Sequence, residues 1–212
     1  MGSAKRDYIA SLIIGTLAAV LSKIMIDNLD ISVPYPVVAG VIFVACPIGI
    51  FVGRILGKKV LTLYQLVKFG ETGGLNTFVD LGFFNLLILI TGVSTGLVVS
   101  VVFKGLSFLA AVTNSYFWNK HWVFETKNKK AADREEMVKF FAVSITGFII
   151  NVTSSAIFIY ILGNVFSFND KLTANMGAAI AFIITMMFNF LGYKLFVFAR
   201  SKKKNETRNA TI

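Results

Sequence analysis

Apolar residues along this chain gather into long runs separated by short charged segments. This is neither the two-residue alternation of a half-buried strand nor the one-sided stripe of a soluble helix. Six runs reach the roughly 20 residues that cross a bilayer, at about 8–25, 37–56, 72–91, 97–118, 140–162 and 172–196. In lipid each backbone amide and carbonyl must be satisfied within its own segment, so such runs fold as helices. The pattern predicts an all-α polytopic membrane protein: six transmembrane helices arranged as three hairpins. The first run follows Lys5-Arg6 without a small-residue cleavage site and a polar mature start, so it reads as a retained span.

The shorter features fit around these spans. Runs three and four are joined by Thr91-Gly92-Val93-Ser94-Thr95-Gly96, which is uncharged but rich enough in glycine for a tight turn. The second run carries Ala45, Gly49, Gly53 and Gly57 at four-residue spacing. That stripe lets another backbone approach closely. Packing within the chain is the favoured reading of it, with a homo-oligomer contact as the alternative. Between runs two and three, Lys58, Thr62, Gln65 and Lys68 form one polar helical face, the pattern of an in-plane surface helix. Residues 132–139 have the same character, and the acidic trio Asp133, Glu135 and Glu136 reads as a solvated surface.

Charge orients the spans. The first, third and fifth connections carry Lys23, Asp27, Asp30, Asp170 and Lys171, whereas 18 of the 21 basic residues fall on the other side. The positive-inside rule makes that side cytoplasmic, with both termini there. An odd number of spans would split the basic clusters. The sequons at Asn205 and Asn209 are then cytoplasmic and receive no glycosylation role.

Composition narrows the function. With 56% hydrophobic and 15% charged residues and a mean hydropathy of +0.73, a water-soluble fold would leave too much apolar surface exposed. The net charge of +10 sits beside apolar spans, so it points to topology and anionic headgroups, not to nucleic acid. One cysteine, Cys46, and one histidine, His121, supply no disulfide framework, metal centre or histidine-based triad. No phosphate loop or dinucleotide fingerprint is present. The expectation is a protein that is not an enzyme and carries no cofactor, with any transport driven by gradients or by product consumption.

Two stretches resemble each other. One opens on Leu66-Val67-Lys68-Phe69 and closes on Trp118-Asn119-Lys120-His121-Trp122-Val123-Phe124. The other opens on Met137-Val138-Lys139-Phe140 and closes on Gly192-Tyr193-Lys194-Leu195-Phe196-Val197-Phe198. Both hairpins start and end on the cytoplasmic side, so the repeat is parallel. These residues, with Gly73-Gly74-Leu75-Asn76-Thr77, Asp80, Lys104 and Asn189, resemble the GtrA-like family, which includes the membrane domain attached to some dolichol-phosphate mannose synthases. The resemblance covers about residues 64–199. Its usual member has four spans, so the pair before residue 57 is an addition. Where the family often has Asn before its first closing motif, this chain has Ser115 beside Asn114. The implied organisation is an N-terminal hairpin (1–57), a four-helix membrane domain (58–199, repeats 64–124 and 137–198) and a basic tail (200–212).

What the resemblance implies is flipping of a polyprenyl-phosphate-linked sugar for cell-surface polysaccharide glycosylation, in the plasma (inner) membrane of a prokaryote. Its alternative is a non-catalytic scaffold that recruits or orients a polyprenyl-phosphate glycosyltransferase. The partners are then the lipid-linked sugar, membrane lipids and, for the scaffold, that glycosyltransferase. A small-solute or ion transporter is a third reading, motivated by the charges of Asp80 and Lys104.

Polar residues inside spans are costly and usually functional. Asp80 and Asn151 occupy comparable places in the two hairpins. They line either a polar cavity or an interhelical hydrogen-bond pair, the latter being favoured for Asn151. Lys104 either snorkels outward or pairs with a phosphate or with Asp80. Asn76, Asn119 and Asn189 complete the proposed headgroup path. Lys120 and Lys194 end corresponding helices among Trp118, Trp122 and Tyr193. They suit a lipid phosphate, or else an ordinary interfacial belt of lysine and aromatics.

Overall fold

The computed structural model describes residues 3–28, 33–126, 133–166 and 170–199. The basic tail with both sequons, and loop residues Lys127, Lys129 and Lys130, lie outside the described residues. All regular structure among the described residues is helical: α1 (Ala4–Asn28), α2 (Tyr35–Gly57), α3 (Leu61–Thr91), α4 (Lys104–Trp118), α5 (Arg134–Asn164) and α6 (Asp170–Gly192). Among the described residues five helices are long and apolar enough to cross a membrane. The fourth apolar run is the exception. Its helical path is divided, with wider π turns at Val98–Phe103 and Asn119–Val123 flanking the 15-residue α4.

α3 runs 31 residues without interruption, about 46 Å at 1.5 Å per residue. The separate surface helix expected over 58–69 is therefore the first part of α3. Gly70, Gly73 and Gly74 weaken a helix without breaking it, and no proline intervenes. Likewise α5 absorbs the second predicted surface helix into one 31-residue element. There Asp133 is the N-cap: its carboxylate accepts from the Glu135 and Glu136 amides at 3.1 and 3.5 Å. α3 stops at Gly92, which takes φ +69° and donates its N–H to the Ile88 carbonyl, a left-handed cap that favours glycine.

The chain divides into two compact units, Met1–Glu125 and Thr126–Ile212. In the first, α1 packs on α2 and α3, and α3 also packs on α2 and α4. The glycine stripe of α2 faces α3. A Cβ on Gly53 would lie 2.9 Å from Val67 Cγ1, and one on Gly57 would lie 2.6 Å from Tyr64 Cβ. The far side of α2 presents Val37, Val41, Val44, Ile48, Phe51 and Ile55 outward, the apolar exterior that a lipid environment favours. In the second unit α5 and α6 form a hairpin with equally close contacts. A Cβ on Gly177 would meet the Ile159 side chain at 2.6 Å, and one on Gly192 would meet Val143 at 2.7 Å.

Candidate functional site

The antiparallel seam between α3 and α4 gathers a chain of polar side chains. Asp80 lies 11 residues before the end of α3, about 16 Å along its axis. Lys104, at the start of α4, places Nζ 2.5 Å from Asp80 Oδ2. Ser107, one turn on, donates to Asp80 Oδ1 at 2.6 Å. Both carboxylate oxygens are thus engaged, and the lysine also lies 5.9 Å from the Phe84 ring. Ser107 is buried, whereas Lys104 keeps about half its side chain exposed.

Along the same two helices Asn76 Oδ1, Asn114 Nδ2 and Asn119 Oδ1 are buried without hydrogen-bond partners among the described residues. A buried polar group left in that state costs about 1–3 kcal/mol. The Asn76 and Asn119 oxygens can accept from a sugar hydroxyl, and the Asn114 amide can donate to a phosphate or hydroxyl oxygen. Asn119 fixes its other end by donating Nδ2–H to the Ser115 carbonyl at 2.8 Å. Of these atoms, Asn114 is the one whose role the sequence reading passed over. The seam also suggested no place for Glu71, whose carboxylate is buried close against Gly49 of α2, with Ser11 of α1 and Lys68 near it.

The two closing motifs share one geometry. In the first unit the Phe124 amide reaches back five residues to the Asn119 carbonyl at 2.9 Å; in the second, the Phe198 amide does the same to Tyr193 at 2.9 Å. Such π turns displace side chains from α-helical register and recur at functional sites. On each turn a lysine lies over the aromatic ring four residues earlier: Lys120 is 5.3 Å from the Tyr116 ring, and Lys194 is 5.4 Å from the Phe190 ring. Lys120 is fully buried and donates to the Tyr116 hydroxyl at 3.0 Å. Lys194 is half-buried.

The aromatics expected at the interface separate. Trp118 stays half-buried, and Trp122 packs edge-on against it at 5.8 Å and is buried. Tyr193 is buried, stacked on Phe140 at 4.0 Å, with its hydroxyl 2.8 Å from Ser144 Oγ. Asn189 lies against Gly147, where a Cβ would fall 2.1 Å from Asn189 Oδ1. Asn151 is half-buried on α5.

A further polar cluster went unforeseen. Asp7, fully buried in the first turn of α1, accepts from Tyr64 Oη at 2.7 Å and Trp122 Nε1 at 3.1 Å. Lys68 Nζ lies 2.8 Å from Asp7 and Arg54 Nη1 3.5 Å from it. Lys68 and Trp122 belonged to the repeated motifs, but nothing in the sequence pairs them with a residue of the N-terminal hairpin.

Among the described residues no three His, Cys, Asp or Glu side chains cluster so as to hold a metal ion. Residues 68–198 match the family described as GtrA/DPMS, transmembrane domain. A curated relative, "Uncharacterized membrane protein YngA" of Bacillus subtilis (strain 168), is 32% identical over 149 residues, covering 70% of this chain and 86% of that protein. No solved structure matches. With more than half its length matched and the motif residues Lys68 through Phe198 inside the match, the chain belongs to the GtrA/DPMS transmembrane-domain family.

Proposed function

We propose that this protein moves a polyprenyl-phosphate-linked sugar between membrane leaflets. The observation that carries the reading is the Asp80–Lys104–Ser107 group on the α3–α4 seam, which this reading sets within the hydrocarbon layer. A charged, hydroxylated headgroup meets its highest barrier at that depth, where isolated charges are most costly. The pair holds opposite charges together until a ligand arrives. The phosphate then takes Lys104, while Asp80 accepts from sugar hydroxyls. Asn76, Asn114 and Asn119 continue the path along the seam, and Asn151 and Asn189 supply similar chemistry on the second hairpin. The isoprenoid tail stays in the lipid throughout.

In this reading the chain has six spans, with its basic face cytoplasmic in a prokaryotic inner membrane. The fourth run crosses as a π–α–π segment. The last four helices are a parallel repeat, which the matched closing turns and their lysine–aromatic stacks support. Lys120 and Lys194 mark where the phosphate is received. Transport is powered by gradients or by consumption of product and uses no catalytic residue.

The test is exchange of a polyprenyl-phosphate sugar between the leaflets of proteoliposomes. The wild-type chain should accelerate it, and Asp80→Ala and Lys104→Ala should each slow it severely. An unchanged rate in both variants would rule out this path. Absence of movement by the wild-type chain, with copurification of a glycosyltransferase, would instead favour the scaffold.

A further inference from the structure

The geometry points to a second anion site: Arg54, Tyr64, Lys68 and Trp122 form a phosphate-binding seat, and Asp7 is a displaceable plug that occupies it. Its physiological use rests on the proposed handling of lipid-linked phosphate. The four donors come from three elements, α2, α3 and the closing π turn, and they converge on one carboxylate. A hydroxyl, an indole N–H, an ammonium and a guanidinium around one anion make an oxyanion receptor.

Charge favours phosphate over the carboxylate now in place. The groups facing Asp7 are Arg6 from its own helix, Arg54 from α2, Lys68 from α3 and Glu125 beyond the closing turn. Glu125 binds both Lys68 and Arg6. Three cations and one anion leave two positive charges, and Asp7 neutralises one. A phosphate monoester carries about −1.5 to −2 at neutral pH and offers three acceptor oxygens. It would balance the seat and use all four donors. Glu71, on α3 next to Lys68 in helical register, lies close against Gly49 of α2 and also interacts electrostatically with Lys68, so when ionised it offsets part of the surplus positive charge.

Withdrawal of the plug asks little of the fold. α1 begins at Ala4, so Asp7 lies in its first turn, where its amide donates to the Ser3 carbonyl at 3.1 Å. Helix ends fray at low cost. The seat itself lies on residues with fixed neighbours: Tyr64 and Lys68 are buried on a 31-residue helix, and Lys68 is also held over the Tyr64 and Trp122 rings.

The test uses the full chain with Trp118→Phe, so that Trp122 alone reports by fluorescence, in zwitterionic nanodiscs. Geranylgeranyl phosphate and inorganic phosphate are titrated separately. If the plug is withdrawn less than about a tenth of the time, removing it should tighten binding about tenfold or more. Asp7→Ala and the isosteric Asp7→Asn should therefore bind geranylgeranyl phosphate more tightly than the parent, and adding Lys68→Gln should erase the gain. A gain for inorganic phosphate of equal size would keep the seat and assign it to the free ion. Equal affinity in the parent and Asp7→Asn, or a gain that survives Lys68→Gln, would overturn the proposal. The two readings separate cleanly. Leaflet exchange with no Asp7 effect removes the plug alone, whereas a Lys68-dependent gain without any exchange removes the translocase alone.

Discussion

Lys104 Nζ stands 2.5 Å from the Asp80 carboxylate across the α3–α4 seam, and Ser107 holds the second oxygen of the same group. The contact joins residues 24 apart in sequence, on the two arms of one hairpin. With Lys104 half exposed, the pair is not locked in the core, so its ends can exchange partners with a ligand. Each single neutralisation leaves an uncompensated charge in the span. Asp80→Asn and Lys104→Met should each slow leaflet exchange by about tenfold or more, matching the loss of about 1.4 kcal/mol or more of charge-assisted bonding. The double variant should be at least as stable as either single one, because two neutral groups no longer strand a charge. Thermal unfolding in detergent reads the second part. A double variant less stable than both singles would show that the pair was not the relevant interaction.

The glycine stripe makes a prediction of opposite signs on one helix. A Cβ at position 57 would lie 2.6 Å from Tyr64 Cβ and 3.7 Å from its Cα, so backbone has to move. Overpacking of this kind costs about 1–3 kcal/mol, more than the helix propensity of up to about 1 kcal/mol that alanine returns. Gly57→Ala should therefore lower the melting temperature. At Gly40 nothing lies within 4 Å of the added carbon, and Gly40→Ala should raise it slightly. Equal shifts at both positions would mean that α2 does not pack on α3 by this face.

Asp133 gives a local test in the second unit. Its carboxylate caps the Glu135 and Glu136 amides, so Asp133→Ala should destabilise the start of α5 by about 0.5–2 kcal/mol. Amide hydrogen exchange at residues 135–137 should accelerate while exchange in the middle of α5 stays unchanged. Asp133→Ser should recover most of the protection.

Five of the six predicted runs were legible as helices of spanning length because lipid demands long apolar runs, and glycine at 92 marked where α3 stops. The α3–α4 partners Asp80 and Lys104 were also within reach, since adjacent spans joined by a short turn bring nearby depths together. Asp133-Arg134-Glu135-Glu136 has the spacing of a helix start, yet its acidity disguised it as surface. The π turns were not legible, because they differ from α-helix by one residue of hydrogen-bond register with no composition of their own. The Asp7 contact with Trp122 spans 115 residues; periodicity within either segment carries no trace of it. The same limit hid Glu71, whose setting against Gly49 depends on how α2 lies on α3.

The proposed six-span topology makes a direct prediction for the divided fourth run. A cysteine-free background, Cys46→Ala, allows single reporters to be placed at exposed or half-buried positions of the connections. Thr95 sits in the turn after α3, Lys58 between α2 and α3, and Thr126 just past the second π turn. If 98–123 crosses the membrane, Thr95→Cys should react with an impermeant maleimide on intact cells. Lys58→Cys and Thr126→Cys should react only after permeabilisation, because the basic residues near them are retained on the cytoplasmic side. The reverse pattern would invert the orientation and move the Asp7 seat to the outer face. Thr95 and Thr126 on one side would mean that the π–α–π segment enters and leaves by the same leaflet.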